Sequence, residues 1–246
     1  MKNGLHFNVI GATGLVGREF VQYLLGNSKA SSHVSKVTVF ARRPLDISPN
    51  EKLVTHIVDF EKLNHPTEGW RTKLNGDVLF SAMGTTLKQA KTKEEQYKVD
   101  YHHQMEVARA FRTNGGKTMV LISAAGADAR SPFFYVRMKG ELERDLQKLE
   151  FDRLRILRPA LLQGHRSATR LGETVSDAVL SALNRVLPRG LPLSVKPIPA
   201  AVVAEAAFNA AKNAQTNPSH KSTLIFGPQD LWQLADGGEE KSYEKR

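Results

Sequence analysis

Phe7-Asn8-Val9-Ile10-Gly11-Ala12-Thr13-Gly14-Leu15-Val16-Gly17 decides how this chain is read. A short apolar run ends in a Gly-x-x-Gly-x-x-Gly turn, and the next residues, with Phe20, Leu24 and Leu25 on one side, have the spacing of a helix that stops near Gly26-Asn27. A strand feeding a glycine turn and then a helix N-terminus offers free N–H groups and the positive end of a dipole to a phosphate. Gly11, Ala12, Thr13, Gly14, Leu15, Val16 and Gly17 are therefore candidate cofactor-binding residues. Taken alone, such a turn is equally compatible with a purely structural strand-to-helix junction.

Outward from this turn, apolar β-branched runs alternate with amphipathic stretches. Val37–Phe40, Val54–Val58, Asp77–Ala82, Thr118–Ser123 and Arg153–Arg158 read as further strands, with a late one at Leu224–Phe226. A long polar helix spans Lys93 to Thr113, and an Ala-rich helix runs from Pro199 to Ala211. The alternation predicts an α/β fold of Rossmann type, a doubly wound parallel sheet with helices on both faces. One domain, residues 1–246, is expected: a cofactor half over about 1–160, a substrate-side segment over about 160–235 and a frayed charged tail over 236–246. The helical stretch Glu173 to Val186 and the Pro- and Gly-rich run Leu187–Pro192 are assigned to a small C-terminal substrate-side cap.

Ligands of open α/β sheets bind beyond the carboxyl ends of the strands. Arg42, Asp59, Gly84 and Ser123 fall at such ends. Twelve residues after Ser123 comes Tyr135, followed four later by Lys139. A helix sets residues i and i+4 on one face, so the Lys139 ammonium is expected beside the Tyr135 phenol, lowering its pKa from about 10. Ser123 can hold a substrate carbonyl oxygen. A Tyr-x-x-x-Lys pair also arises from ordinary helix packing; the order and spacing of turn, serine and pair together favour chemistry.

The second strand ends in Phe40-Ala41-Arg42-Arg43, without the carboxylate that bonds a ribose 2′-hydroxyl and repels a 2′-phosphate. Guanidinium groups match phosphate oxygens in shape and charge, so Arg42 and Arg43 favour NADP (NADPH) over NAD. Asp59 is a candidate acceptor for the adenine amine.

The chain carries a net charge of +10, with 17 Lys and Arg against 11 Asp and Glu in residues 1–123, a surplus of 6 that leaves 4 for the rest. The excess is spread, without a basic block or aromatic platform, so no nucleic-acid partner is expected. No cysteine is present, which removes disulfides and thiolate chemistry, and no metal site is expected. With no signal h-region and no apolar run of the ~18 residues a span requires, neither membrane insertion nor export is expected, and the address is read as cytoplasmic.

These residues resemble the short-chain dehydrogenase/reductase superfamily, and within it the atypical branch that includes the Tat-interacting protein oxidoreductases and bacterial NAD(P)-binding relatives. The likeness covers residues 6 to about 212 and is carried by the glycine turn, Ala41-Arg42-Arg43, Met83-Gly84-Thr85-Thr86, Ser123 with Gly126-Ala127-Asp128, Tyr135 through Glu141, and Phe151 through Pro159. The resemblance implies that Tyr135 exchanges a proton with the substrate oxygen, that Lys139 binds the nicotinamide ribose and that Ser123 orients the carbonyl. It also implies that Ala82, Met83, Gly84, Thr85 and Pro159 border the cofactor. Many members have Asn-Ala-Gly after the fourth strand, where this chain has Ala82-Met83-Gly84, and an asparagine in the next helix, where Val99-Asp100-Tyr101 stands. Asp100, His102 and His103 could take over the proton relay, against the alternative that they are solvated.

The expected activity is that of an NADP-dependent oxidoreductase moving a hydride between nicotinamide and a small carbonyl or alcohol. The alternative is an NADP(H)-binding regulatory protein that senses redox state through a macromolecular partner. Thr86, Leu87, Phe133, Phe134, Leu161, Leu162 and Gln163 are candidate pocket walls. The chain is expected as a monomer or weak homodimer.

Overall fold

The computed structural model describes residues 4–63, 69–163, 197–216 and 222–238. Seven strands form one parallel sheet in the order β3-β2-β1-β4-β5-β6-β9: β1 (Leu5–Ile10), β2 (Val34–Ala41), β3 (Leu53–Ile57), β4 (Val78–Ser81), β5 (Thr118–Ile122), β6 (Arg153–Leu157) and β9 (Ser222–Phe226). The late strand pairs in parallel with β6 from Arg153↔Ser222 to Leu157↔Phe226 and closes the sheet's edge. A small pair not expected from the sequence, β7 (Leu162–Gln163) with β8 (Ile198–Pro199), lies outside the main sheet.

The strand order reverses between β1 and β4. From β1 the chain winds outward through β2 and β3, then returns to β4 on the other flank. Such a switch point opens a crevice at the carboxyl ends, and there the Ala82 N–H donates to the Ile10 carbonyl at 3.1 Å, bringing the loops after β1 and β4 together.

Side chains alternate across a strand, so each central strand feeds two cores. Phe7, Val9, Phe80, Val120 and Ile122 face α1 (Leu15–Gly26), the long α8 (Ala200–Thr216) and α9 (Pro228–Ala235). There Phe20 stacks on Phe80 at 3.8 Å and meets Phe7 edge-on at 5.7 Å. Ile10, Leu79, Met119, Leu121 and Ile156 face α6 (His103–Thr113) and α7 (Phe134–Gln147). Between them lie the short α2 (Ser28–Ser31), α3 (Trp70–Lys73), α4 (Leu87–Ala90) and α5 (Lys93–Tyr97).

The helix expected over Lys93–Thr113 is continuous but not uniform: α5 passes into α6 through a π turn, Lys98–His102. The Ala-rich helix begins at Ala200, after Pro199 has paired in β8, and runs five residues past the expected end at Ala211. The expected cap elements, Glu173 to Val186 and Leu187–Pro192, lie outside the described residues, as do residues 239–246 of the expected tail.

Candidate functional site

Gly11 ends β1 with φ +81, and a Cβ there would come well inside 3.0 Å of the Ala82 backbone; one at Gly17 would meet the Gly11 carbonyl equally closely. Those two glycines let the turn and the first helix pack against the loop after β4. Gly14 is the N-cap of α1 without a side-chain hydrogen bond, so the first N–H groups of the helix have no cap. Its φ of −82 is ordinary, and a Cβ would sit 3.2 Å from the Gly11 carbonyl. The turn divides by exposure: Gly11, Thr13, Gly14 and Leu15 are open to differing degrees, whereas Ala12 and Val16 pack into the core with Gly17 buried beside them. Pyrophosphate fits this cradle, since it needs backbone donors and no intruding Cβ.

Arg42 and Arg43 follow the last residue of β2 and are both exposed. Asp59 caps a 3-10 turn, accepting the Glu61 N–H at 3.0 Å with Lys62 at 3.5 Å. Its carboxylate is thus partly engaged by its own turn.

Ala82, Met83, Gly84 and Thr85 leave the carboxyl end of β4. Here the Thr85 N–H donates to Asp100 Oδ2 at 2.7 Å and the Thr85 carbonyl accepts from Gln96 at 3.0 Å. Asp100 sits in the π turn and is buried, contrary to the solvated reading. A π turn widens the helix locally and is frequent at functional sites. The next residues settle the other relay candidates: His102 is exposed, and His103 is buried against Phe60, 3.8 Å from Glu61. Neither is hydrogen-bonded to Lys139.

Tyr135 and Lys139 stand on one face of α7 as expected, with Lys139 Nζ 5.9 Å from the Tyr135 ring centroid. Lys139 is nonetheless buried and ion-paired, its Nζ 3.2 Å from Asp100 Oδ1. Burial pushes the ammonium down, but Asp100 first and then Tyr135 outweigh it and hold it above its ordinary value. The Asp100 carboxyl is pushed up by burial against the pull of Lys139 and the Thr85 N–H. The expected lowering of the Tyr135 phenol is corrected: although 36% of its surface is exposed, desolvation raises it, Lys139 opposes, and Asp100 adds to the rise.

Ser123 follows the last residue of β5, fixed by its N–H to the Leu157 carbonyl at 2.8 Å. Its hydroxyl donates to buried Glu143, which also takes Arg158 Nε at 3.0 Å and the guanidinium's terminal nitrogen. The Ala125 N–H to Pro159 carbonyl bond, 3.0 Å, joins the Ser123 loop to Pro159. Gly140 lets α7 press against Asp128-Ala129, where a Cβ would strike backbone. Glu143 and Arg158 escaped sequence reasoning as site residues. The available signal was position: Glu143 lies one helical turn beyond Lys139 on the same face.

The wall candidates divide. Leu87 and Phe133 are exposed, Phe134 lies under Lys93 at 5.7 Å, and Leu162 packs against the first core. Among the described residues there is no group of side chains fit to hold a metal ion and no helix long and apolar enough to cross a membrane.

A family model described as HIM1 matches residues 54–188. The chain is similar to the protein named "fmp52, mitochondrial" of Aspergillus niger, 34% identical over 243 residues that cover 93% of this chain and 97% of the relative. The "FMP52, mitochondrial" proteins of Candida albicans, 32% identical over 93% of this chain and 97% of theirs, and of Saccharomyces cerevisiae, 37% over 68% and 69%, are similar too. Among solved structures, a short chain dehydrogenase from Burkholderia cenocepacia in complex with NADP superposes with TM-score 0.60 at 15% identity, covering 96% of this chain and 92% of its own. A UDP-galactose 4-epimerase gives 0.63 at 18% over 90% and 76%. At those identities the likeness shows the fold alone, which is the expected Rossmann-type sheet. The relatives' mitochondrial names overturn the cytoplasmic address: lack of cysteine fits a reducing compartment and does not separate cytoplasm from mitochondrion.

Proposed function

The chain belongs to the HIM1 family, with the mitochondrial Fmp52 proteins as relatives, and from the geometry of its site we propose that it is an NADP-dependent oxidoreductase acting on a small carbonyl or alcohol. The observation that carries this reading is buried Lys139 beside Tyr135 at the carboxyl edge of the sheet, next to the loops that follow β1 and β4. A buried ammonium four residues from a phenol is costly to keep without a use, and the uncapped start of α1 lies across the switch-point crevice.

Each residue has a role in this reading. The α1 N-terminus, reached past Gly11 and Gly14, binds the pyrophosphate. Arg42 and Arg43 take the 2′-phosphate. Lys139, fixed by Asp100, retains N–H donors for ribose hydroxyls. Ala82, Met83, Gly84, Thr85 and Pro159 line the nicotinamide side. The cofactor, when bound, supplies the hydride. Tyr135 holds the proton exchanged with the substrate oxygen, and Ser123, whose hydroxyl donates its hydrogen bond to Glu143, offers lone pairs to the substrate. The relatives' names make the mitochondrion the compartment in which to look.

Fluorescence titration with NADPH and NADH tests the binding half. A bidentate phosphate contact is worth at least about tenfold, about 1.4 kcal/mol, so NADPH should bind that much more tightly and Arg42→Ala should erase the difference. Equal affinities, unchanged in the variant, refute the NADP preference. Loss of NADPH absorbance across a panel of aldehydes, ketones and quinones tests the chemistry; tight binding without turnover on any of them shifts weight to the cofactor-sensing reading.

A further inference from the structure

The ionisable groups of the site form a line, not an isolated phenol and ammonium. Asp100 comes from the π turn and is 1% exposed; Lys139 comes from α7 and is 3% exposed. Asp100 Oδ2 takes the Thr85 N–H at 2.7 Å while Oδ1 faces Lys139 Nζ at 3.2 Å. Both oxygens meet donors, an arrangement that the carboxylate form satisfies and the acid form does not. Lys139 therefore has an opposite charge much nearer than the Tyr135 ring, 5.9 Å away. Seen from the phenol, Asp100 offsets part of the Lys139 charge, and the field of such a pair falls off faster than that of a lone cation.

We propose that Asp100 is a positioning residue that neutralises Lys139 and keeps Tyr135 a protonated phenol at neutral pH, which suits the site to reducing a carbonyl. This inference rests on the oxidoreductase reading above.

Among the described residues, Glu143 on α7, which also acts on Lys139, is paired with Arg158 after β6, and the loop after β4 brings the neutral Thr85 N–H to Asp100. Tyr135 keeps 36% of its surface exposed, so water tempers the upward push of burial on the phenol, and the Asp100 charge opposing Lys139 acts in the same direction beside it. The Ser123 hydroxyl donates its hydrogen bond to Glu143, so it is not free to donate to a substrate. The Tyr135 proton then passes to the carbonyl oxygen as the carbonyl carbon accepts a hydride from a reduced nicotinamide. The C=O π bond breaks, one C–H and one O–H bond form, and the phenolate left behind recovers a proton from water.

Tyrosinate absorbance in the cofactor-free protein, taken as wild type minus Tyr135→Phe, reads this without any substrate. Of the four other tyrosines, Tyr243 cancels in the difference and three stay silent over the range needed. Burial and carboxylate acceptors raise Tyr23 and Tyr97 well above their usual value and push Tyr101 up to about 12. The difference curve should show no ionisation below about pH 10. Asp100→Asn keeps an amide oxygen for the Thr85 N–H while exposing the Lys139 charge, and should lower the Tyr135 midpoint by about one pH unit or more. Asp100→Ser, which leaves room for water beside Lys139, should do the same and serves if the asparagine variant does not fold. A wild-type midpoint below about 9, or a folded Asp100 variant with an unmoved midpoint, overturns the proposal. NADPH titration of the same samples keeps the two readings apart: absent binding with the expected midpoints sinks the oxidoreductase, whereas tight binding with a low wild-type midpoint sinks only the role of Asp100.

Discussion

Replacing Arg158 by methionine isolates the element that holds Ser123. Glu143 has a side chain 3% exposed, and its donors are the Ser123 hydroxyl and the Arg158 guanidinium. Arg158→Met leaves a buried carboxylate with one neutral donor. Breaking such a pair by removing one partner costs about 3–5 kcal/mol. The Arg158 side chain is 27% exposed, so water can reach part of the vacated space, and the lower end, about 3 kcal/mol, is expected. For a chain of this size that lowers Tm by about 6–12 °C, and in urea the midpoint should fall with the slope unchanged. Adding Glu143→Leu removes the stranded charge and should recover most of the loss, leaving about 1 kcal/mol for the orphaned Ser123 hydroxyl. An Arg158→Met protein as stable as wild type, or a double variant no better than the single, would refute the reasoning.

Two further outcomes are expected. Gly17→Ala drives a Cβ into the Gly11 carbonyl and should cost about 1–3 kcal/mol or more, while Gly14→Ala, at an ordinary φ with 3.2 Å to that oxygen, should stay within about 1 kcal/mol by thermal melting; equal losses would show that the turn is not packed as described. Asp145, held well below the usual carboxylate range by Arg144 against burial, with Lys148 and Tyr101 adding to the pull, contributes stability present above about pH 3.9 and lost as pH falls. Asp145→Asn should therefore lower neutral-pH stability by at most about 1 kcal/mol and flatten the acid limb of a stability–pH curve, and an unchanged limb would count against it.

Strand and helix positions were largely legible because they rest on local periodicity. Phe7–Ile10, Thr118–Ser123 and even the isolated Leu224–Phe226 carry enough β-branched and aromatic residues to be recognised alone. The glycine turn was legible for a similar reason, since residue type directly limits φ and Cβ clearance at Gly11 and Gly17. Spacing also placed Tyr135 and Lys139 on one helix face. The compartment was not legible, because a cysteine-free composition is compatible with a reducing compartment without choosing one.

What the sequence determined by itself is the Rossmann-type sheet, its crevice and the placing of Tyr135 and Lys139 on one helix face, all consequences of short-range pattern and residue type. What only the tertiary structure decided is what Ser123, Tyr135 and Lys139 are bonded to. Whether Lys139 acts as a bare charge depends on Asp100, brought in by a π turn that no periodicity announces, and whether Ser123 donates or accepts a hydrogen bond depends on Glu143, 20 residues away, and on Arg158 across the sheet. Burial and charge pairing belong to what a neighbouring element places against a side chain, and so the Tyr135 phenol, expected to shift down from its spacing to Lys139, shifts up.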